Sequence, residues 1–353
     1  METVAVTGAA GLVGRFVVDR LSKNENVKEI RMIDRNECHL RIKRDNVNIR
    51  QMTIDMCEAG TLERALAGCT TVVHCAHPPI PVEYQDKEER RQMWRDSVEA
   101  VEILMEKMLL KGVNRLVYVG DAYSALPVED NYGLGAEMFG GFQQNYLLGE
   151  YGEARTRAEM FARTAVARED NQLVGIFLRP VHVHGEGKSS FLSSLQPLAE
   201  AGTLPYFEGE RRGMHQFIYA GNLAGIIEKS IFSLSTEAEK FNGEIVYCLD
   251  ETCAYPVRDF LSDRLPTKSF NSDNVQSFTK SWFHHYFNQI RFSCGLQVPK
   301  HTMAYPVFRL LFEKTVGFSN KTLRLLMDYT PEIPQSKALK ISSGDISEKK
   351  TFQ

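Results

Sequence analysis

Short apolar runs alternate with longer amphipathic ones through the first half of the chain. TVAVT (3–7), VKEIRMID (27–34), VNIRQMTI (47–54), TTVVHCA (70–76), RLVYVG (115–120) and LVGIFLR (173–179) each have strand length and β-branched content. Between them lie helical patterns. GLVGRFVVDRLSK (11–23) is amphipathic at helical spacing, and SVEAVEILMEKMLLKG (97–112) is the clearest helix, with Gly112 as its stop. Near-continuous apolar strands that alternate with helices predict a parallel sheet covered on both faces. Right-handed crossovers then favour a doubly wound α/β arrangement.

The rhythm breaks after LRPVHVHGEG (178–187). Residues 186–330 carry helical patches and a few short strands, among them EIVYCLD (244–250). This part is expected to be a smaller C-terminal substrate-binding lobe on a dinucleotide-binding core of residues 1–185. HQFIYAGNLAGIIEKSI sits in a stretch, 214–232, that can return to the core. Residues 331–353 are polar, Lys/Ser-rich and poor in aromatics, and read as a loosely structured tail.

VAVTGAAGLVG changes the picture from fold to chemistry. Gly8, Gly11 and Gly14, with Leu12 and Val13 between them, link the first strand to the first helix. Such a turn tolerates no Cβ, lets backbone approach a pyrophosphate, and offers the unpaired N–H groups of a helix start. Asp34 ends the second strand, placed to accept hydrogen bonds from an adenosine ribose. A carboxylate there repels a 2′-phosphate and favours NAD over NADP. Arg35, next in sequence, can pair with that phosphate and pulls the other way.

The bulk numbers remove other classes. In 353 residues, 43% are hydrophobic and 25% charged, as in ordinary globular chains. A net charge of −3 gives no electrostatic reason to expect nucleic acid. Seven scattered cysteines with no CxxC pair suit a reduced, intracellular protein without structural zinc. No signal peptide is evident, and no apolar run approaches the ~20 residues of a membrane span.

From here the sequence resembles the extended short-chain dehydrogenase/reductases, and within them the 3β-hydroxysteroid dehydrogenase/Δ5-isomerase family. IDMCEAGTLERALAGCTTVVHCAH resembles the family stretch in which Asp55 and Met56 would contact adenine, with the His74-Cys75-Ala76 turn near the nicotinamide. GVNRLVY matches the fifth strand. YGEARTRAE registers on Tyr-x-x-Ser-Lys-x-x-Ala-Glu. LRPVHVHGEG, with Pro180, matches Leu-Arg-Pro-x-x-Val-Tyr-Gly-x-Gly, and FIYAGNLA matches Phe-x-Tyr-Val-x-Asn-Leu-Ala. The family's closing Leu-Gly-Tyr-x-Pro segment is not found. The resemblance implies NAD-dependent hydride transfer at a secondary alcohol of a sterol or steroid, with Δ5-isomerisation as a second activity. Tyr151 would be the acid/base. A homodimer, and attachment to a membrane surface such as the cytoplasmic face of the endoplasmic reticulum, go with it.

Three positions depart from the family. Asp121 stands where a catalytic Ser or Thr is expected, Arg155 replaces lysine, and Ser97 replaces a helix asparagine. Lowering a phenol from ~10 to neutrality takes about 4 kcal/mol, which a cation at ~4 Å supplies in an effective dielectric of ~20. Arg155 can provide that charge; an ionised Asp121 would cancel it. Either Asp121 pairs with Arg155, or it is protonated by burial and donates, or Ser124 takes the missing hydroxyl's place. Activity that is weak or altered, with coenzyme binding retained, follows from the first. This is the reading of a dinucleotide-binding sensor or scaffold. A reductase or epimerase acting on another substrate is the remaining alternative. For a sugar nucleotide, Arg211 and Arg212 are the pair placed to hold phosphate.

His182 and His184 are expected to line a cavity and not to bind metal; no metal is expected. SWFHHYFNQIRF (281–292), with His284 and His285, is either a substrate-lobe helix or an interfacial amphipathic segment. KEERRQMWR (87–95) is a solvated helix face with internal ion pairs.

Overall fold

A computed structural model describes residues 1–343 apart from 39, 41–46, 129–130, 136–141, 169–171, 188, 208–211, 252–253 and 266–274. The predicted strands form one seven-stranded parallel sheet. They are β1 (Glu2–Thr7), β2 (Val27–Asp34), β3 (Asn48–Thr53), β4 (Thr71–His74), β5 (Arg115–Val119), β6 (Val174–Pro180) and β7 (Ile245–Cys248). Their order across the sheet is β7-β6-β5-β4-β1-β2-β3. The chain starts mid-sheet, runs outward to β3, and crosses back to place β4 beside β1. That reversal opens a crevice at the C-terminal ends of β1 and β4, where doubly wound sheets bind ligands.

The strand pleat sorts the core into two layers. Val4, Val6, Val73, Val117, Val119, Ile176 and Leu178 face one side, where α1 (Leu12–Leu21) packs against α6 (Ala220–Thr236). Ala5, Val72, Leu116, Tyr118 and Phe177 face the other. There α2 (Ala59–Leu66), α4 (Ala100–Lys111) and α5 (Gly149–Val166) cover them. Helix α3 (Lys87–Trp94) begins with an Asp86/Glu89 capping box. It runs through a π-helical turn, Arg95–Glu99, into α4, which stops at left-handed Gly112. Its solvated face carries an Arg91–Glu88 pair and reaches Glu150 through Arg90 at 3.0 Å.

The second half of the chain contributes to the core more than its pattern suggests. Within the 214–232 stretch, α6 covers β5 and β6. Strand β7 extends the sheet by pairing with β6. The polar stretch read as a loose tail is also docked over its described part. Gln335–Ser343 is helical with Ala338 buried, Glu332 pairs with Arg20 at 2.6 Å, and Asn222 donates to the Ile333 carbonyl at 2.8 Å. A few apolar contacts and paired charges hold it, which composition alone cannot show. No helix among the described residues is long and apolar enough to cross a membrane.

Candidate active site

The crevice is a cavity of about 820 Å³, within the range of small-molecule sites. Its walls include Gly8, Gly11, Leu12, Val13, Gly14, Asp34, Arg35, Met56, Cys75, Ala76, Asp121, Tyr151 and Pro180. The cofactor and catalytic residues expected from sequence therefore lie on one continuous surface, with three exceptions. Asp55 turns away to Arg95 at 2.9 Å. Burial works against its ionisation, but the Cys57 N–H and the Arg95 guanidinium overcome it and hold its carboxyl below the usual range. Arg155 lies beneath the cavity wall, and Ser124 lies behind it.

The glycine turn has the shape a diphosphate needs. Gly8 sits at φ +69°, and a Cβ there would meet the Ala76 nitrogen at 2.7 Å. A Cβ on Gly14 would lie 2.3 Å from the Gly8 carbonyl oxygen. Glycine is thus required where β1 touches the β4 turn and where α1 touches the loop. Gly11 is the N-cap of α1 with no side chain to close the helix start, and Gly11, Leu12, Val13 and Gly14 line the cavity. Asp34 closes the loop from the other side. Its Oδ2 accepts from Ala10 N at 3.0 Å and its Oδ1 from Asn36 N at 2.9 Å. Oδ2 keeps one lone pair for a ribose hydroxyl.

At the far end stand Tyr151 and Asp121. Gly152 makes their approach feasible, because a Cβ there would lie 2.6 Å from the Ser124 carbonyl oxygen. No sequence motif pointed to that glycine. Asp121 Oδ1 accepts from Tyr123 N at 2.9 Å and Ser124 N at 2.6 Å. Its Oδ2 then faces the Tyr151 hydroxyl at 3.5 Å and Arg155 Nε at 3.7 Å. The pairing of Asp121 with Arg155 is thus the arrangement found, at a separation too long for a hydrogen bond. Ser124 is 4% exposed, and its hydroxyl donates back to the Asp121 carbonyl at 3.4 Å. It does not take the missing hydroxyl's place.

Charge follows from this geometry. Burial, then the Asp121 carboxylate, push the Tyr151 phenol well above its ordinary value, and Arg155 only partly offsets them. Tyr151 is a neutral phenol at physiological pH. Burial, helped by Arg155, pushes His74 down to about 3, so its ring is neutral, with Nδ1 2.9 Å from the Thr7 hydroxyl. Around Arg155 lies a polar pocket. Arg155 Nε and Nη1, His74 Nε2, the Tyr118 hydroxyl and the Ser97 hydroxyl are all buried with no hydrogen-bond partner among the described residues. Buried polar groups seldom stay unpaired, so this shell suits hydroxyl-bearing ligand atoms or water.

Sequence reasoning missed several walls. The His77–Ile80 turn, Asp96, Tyr123 and Phe191 all line the cavity. Tyr123 stacks on His182 with ring centres 4.3 Å apart, and its hydroxyl accepts from His182 N at 3.2 Å. His182 does line the cavity, as expected, between Tyr123 and Phe191. His184 bonds Ser342 instead, at 2.9 Å. No group of three metal-ligating side chains occurs among the described residues. Arg211 lies outside them, and Arg212 stacks over Phe278 at 4.1 Å.

Known proteins share this architecture. Residues 5–279 match the model of the 3-beta hydroxysteroid dehydrogenase/isomerase family. A 3 beta-hydroxysteroid dehydrogenase/Delta 5→4-isomerase of Vaccinia virus is 23% identical over 269 residues, covering 74% of this chain and 76% of the relative. A dihydroflavonol 4-reductase of Gerbera hybrida is 27% identical over 126 residues, 34% of each chain. Among solved structures, MoeE5 in complex with UDP-glucuronic acid and NAD superimposes with a TM-score of 0.67 at 18% identity, covering 97% of this chain and 98% of that one. A Thermus thermophilus UDP-glucose 4-epimerase complex with NAD gives 0.63 at 17% identity, with 97% and 98% covered. With its family match spanning the glycine turn, the Tyr151 helix and β7, the chain belongs to the 3-beta hydroxysteroid dehydrogenase/isomerase family.

Proposed function

We propose that the protein binds NAD in the crevice and transfers hydride between the nicotinamide and a secondary alcohol or ketone on an apolar substrate, with Tyr151 as the proton donor and acceptor. One observation carries the reading. Tyr151 and the glycine cradle line the same continuous cavity, as does Asp34. The bound coenzyme would supply the hydride. Gly8, Gly11 and Gly14 would hold its diphosphate, Asp34 its ribose, and Tyr151 would hand the proton to or from the substrate oxygen.

The substrate end favours a sterol or steroid over a sugar nucleotide. Pro78, Pro79, Ile80, Val181 and Phe191 line it, and among the described walls the only Lys or Arg is Arg35, at the adenosine end. A diphosphate-linked sugar would need cations there. The helix Phe278–Ser293 supports a membrane-facing surface, with Phe283 and Phe287 each 60% exposed.

A second reading follows from Asp121. Its oxygen 3.5 Å from the Tyr151 hydroxyl keeps the phenol neutral, which suits a protein that binds coenzyme and turns over slowly or not at all. The test is an NADH fluorescence titration followed by a sterol panel assayed with NAD across pH. Turnover abolished by Tyr151→Phe with NADH binding intact supports hydride transfer. NADH binding without turnover at any pH supports the second reading. Absence of NADH binding refutes both.

A further inference from the structure

Among the described walls of the adenosine end, Arg35 is the one cation that speaks for NADP, and the structure shows where its charge goes. Its Nη2 lies 2.8 Å from Asp96 Oδ1. The same oxygen accepts from Gln92 Nε2 at 2.9 Å and Arg95 Nη1 at 3.1 Å. Arg95 is held in turn by Asp55 at 2.9 Å. Asp96 sits on the π-helical turn between α3 and α4, and its side chain is only 12% exposed. An ion pair with both partners in solvent would constrain Arg35 little. Here the acid is buried and pinned from its own helix, so the arginine is the partner that moves to it.

We infer that Asp96 sets the coenzyme preference, by drawing the Arg35 guanidinium away from the ribose 2′ position and by adding a negative charge against a 2′-phosphate. Both Asp96 and Arg35 line the cavity, together with Asp34 and Glu37. With Arg35 neutralised, acids outnumber free cations among the described walls at that end. A 2′-hydroxyl meets a ready acceptor in Asp34, whereas a phosphate dianion meets repulsion and, among the described walls, no unpaired arginine. The inference rests on the coenzyme reading above and adds a residue that no motif marks.

The test is fluorescence titration of the full chain with NADH and NADPH, using wild type, Asp96→Ala, Asp96→Asn and the double variant D96A/R35A. Wild type is expected to bind NADH more tightly than NADPH. Asp96→Ala should tighten NADPH relative to NADH by about tenfold or more, the scale of one charge-assisted hydrogen bond. Asp96→Asn, which keeps the side-chain shape, should move NADPH the same way by less. Adding Arg35→Ala should erase the gain. Unchanged NADPH affinity in both single variants, with NADH binding intact, overturns the inference and leaves the coenzyme reading standing. So does wild type that binds NADPH as well as NADH. Wild type that binds neither coenzyme overturns both.

Discussion

Asp121→Asn tests the charge argument at the heart of the site. The substitution keeps a side-chain oxygen for the Tyr123 and Ser124 N–H groups, so the turn after β5 should hold. What it removes is a negative charge whose nearest oxygen lies 3.5 Å from the Tyr151 hydroxyl. In an effective dielectric of ~20, two unit charges at that distance repel by about 5 kcal/mol. Removing the carboxylate also frees Arg155, 3.7 Å from it, to stabilise a phenolate. Part of the burial penalty on Tyr151 remains, because neither substitution nor charge changes the packing of α5 on the sheet. The net expectation is a marked fall in the Tyr151 midpoint, since the Asp121 charge that adds to the burial penalty is gone and Arg155 is left to oppose it. Two assays read it. Ultraviolet difference titration of phenolate absorbance, with Tyr151→Phe as the blank, gives the midpoint directly. The pH profile of kcat/KM for alcohol oxidation should shift by the same amount, raising the rate near pH 7 by about a hundredfold. A Tyr151 midpoint that stays in place when Asp121 loses its charge would refute the electrostatic account, whatever happens to the rate.

Tyr151→Phe should lower hydride transfer by about a hundred- to ten-thousandfold, with NADH affinity nearly unchanged, because only proton transfer is lost. Gly8→Ala should abolish NADH binding and lower the melting temperature: the left-handed φ of +69° disfavours any side chain, and the new Cβ would strike the Ala76 nitrogen. Glu159 and Arg179 form a buried pair 2.5 Å apart between α5 and β6. Glu159→Gln should cost about 3–5 kcal/mol in denaturant unfolding, since it removes the carboxylate charge that balances the buried Arg179 guanidinium. Asp250 is buried and accepts from Tyr219 N and Asn222 Nδ2, and burial pushes its carboxyl up to about 7. The folded chain holds that proton where the unfolded chain has released it, so the contribution is full below about pH 4 and is lost as pH rises through 7. Melting temperature should fall over that window, and Asp250→Asn should flatten the slope.

The glycine turn and the acid at Asp34 were legible before any fold was seen, because their roles are local. A strand, a Cβ-free turn and a helix start lie within a dozen residues of each other, and the next strand ends on the acid. The parallel sheet was legible for the same reason, since each apolar run announces its own strand. The chemistry at Tyr151 was only half legible. The family resemblance marked Tyr151 as the acid/base and Arg155 and Asp121 as departures but left three arrangements open. The choice between them depends on how α5 meets the turn after β5, and Gly152, not any motif, permits that approach. The polar stretch after 331 was misread because composition counts residues, whereas docking depends on particular partners such as Arg20 and Asn222.

What the sequence determined by itself was the doubly wound core and the diphosphate cradle, both written in periodicity and short-range sterics. What tertiary structure alone decided was electrostatic. It set Asp121 against Tyr151 across thirty residues and Asp96 against Arg35 across sixty-one. Coulombic coupling depends on distance in space and on the burial of both groups, and neither is encoded at any single position along the chain.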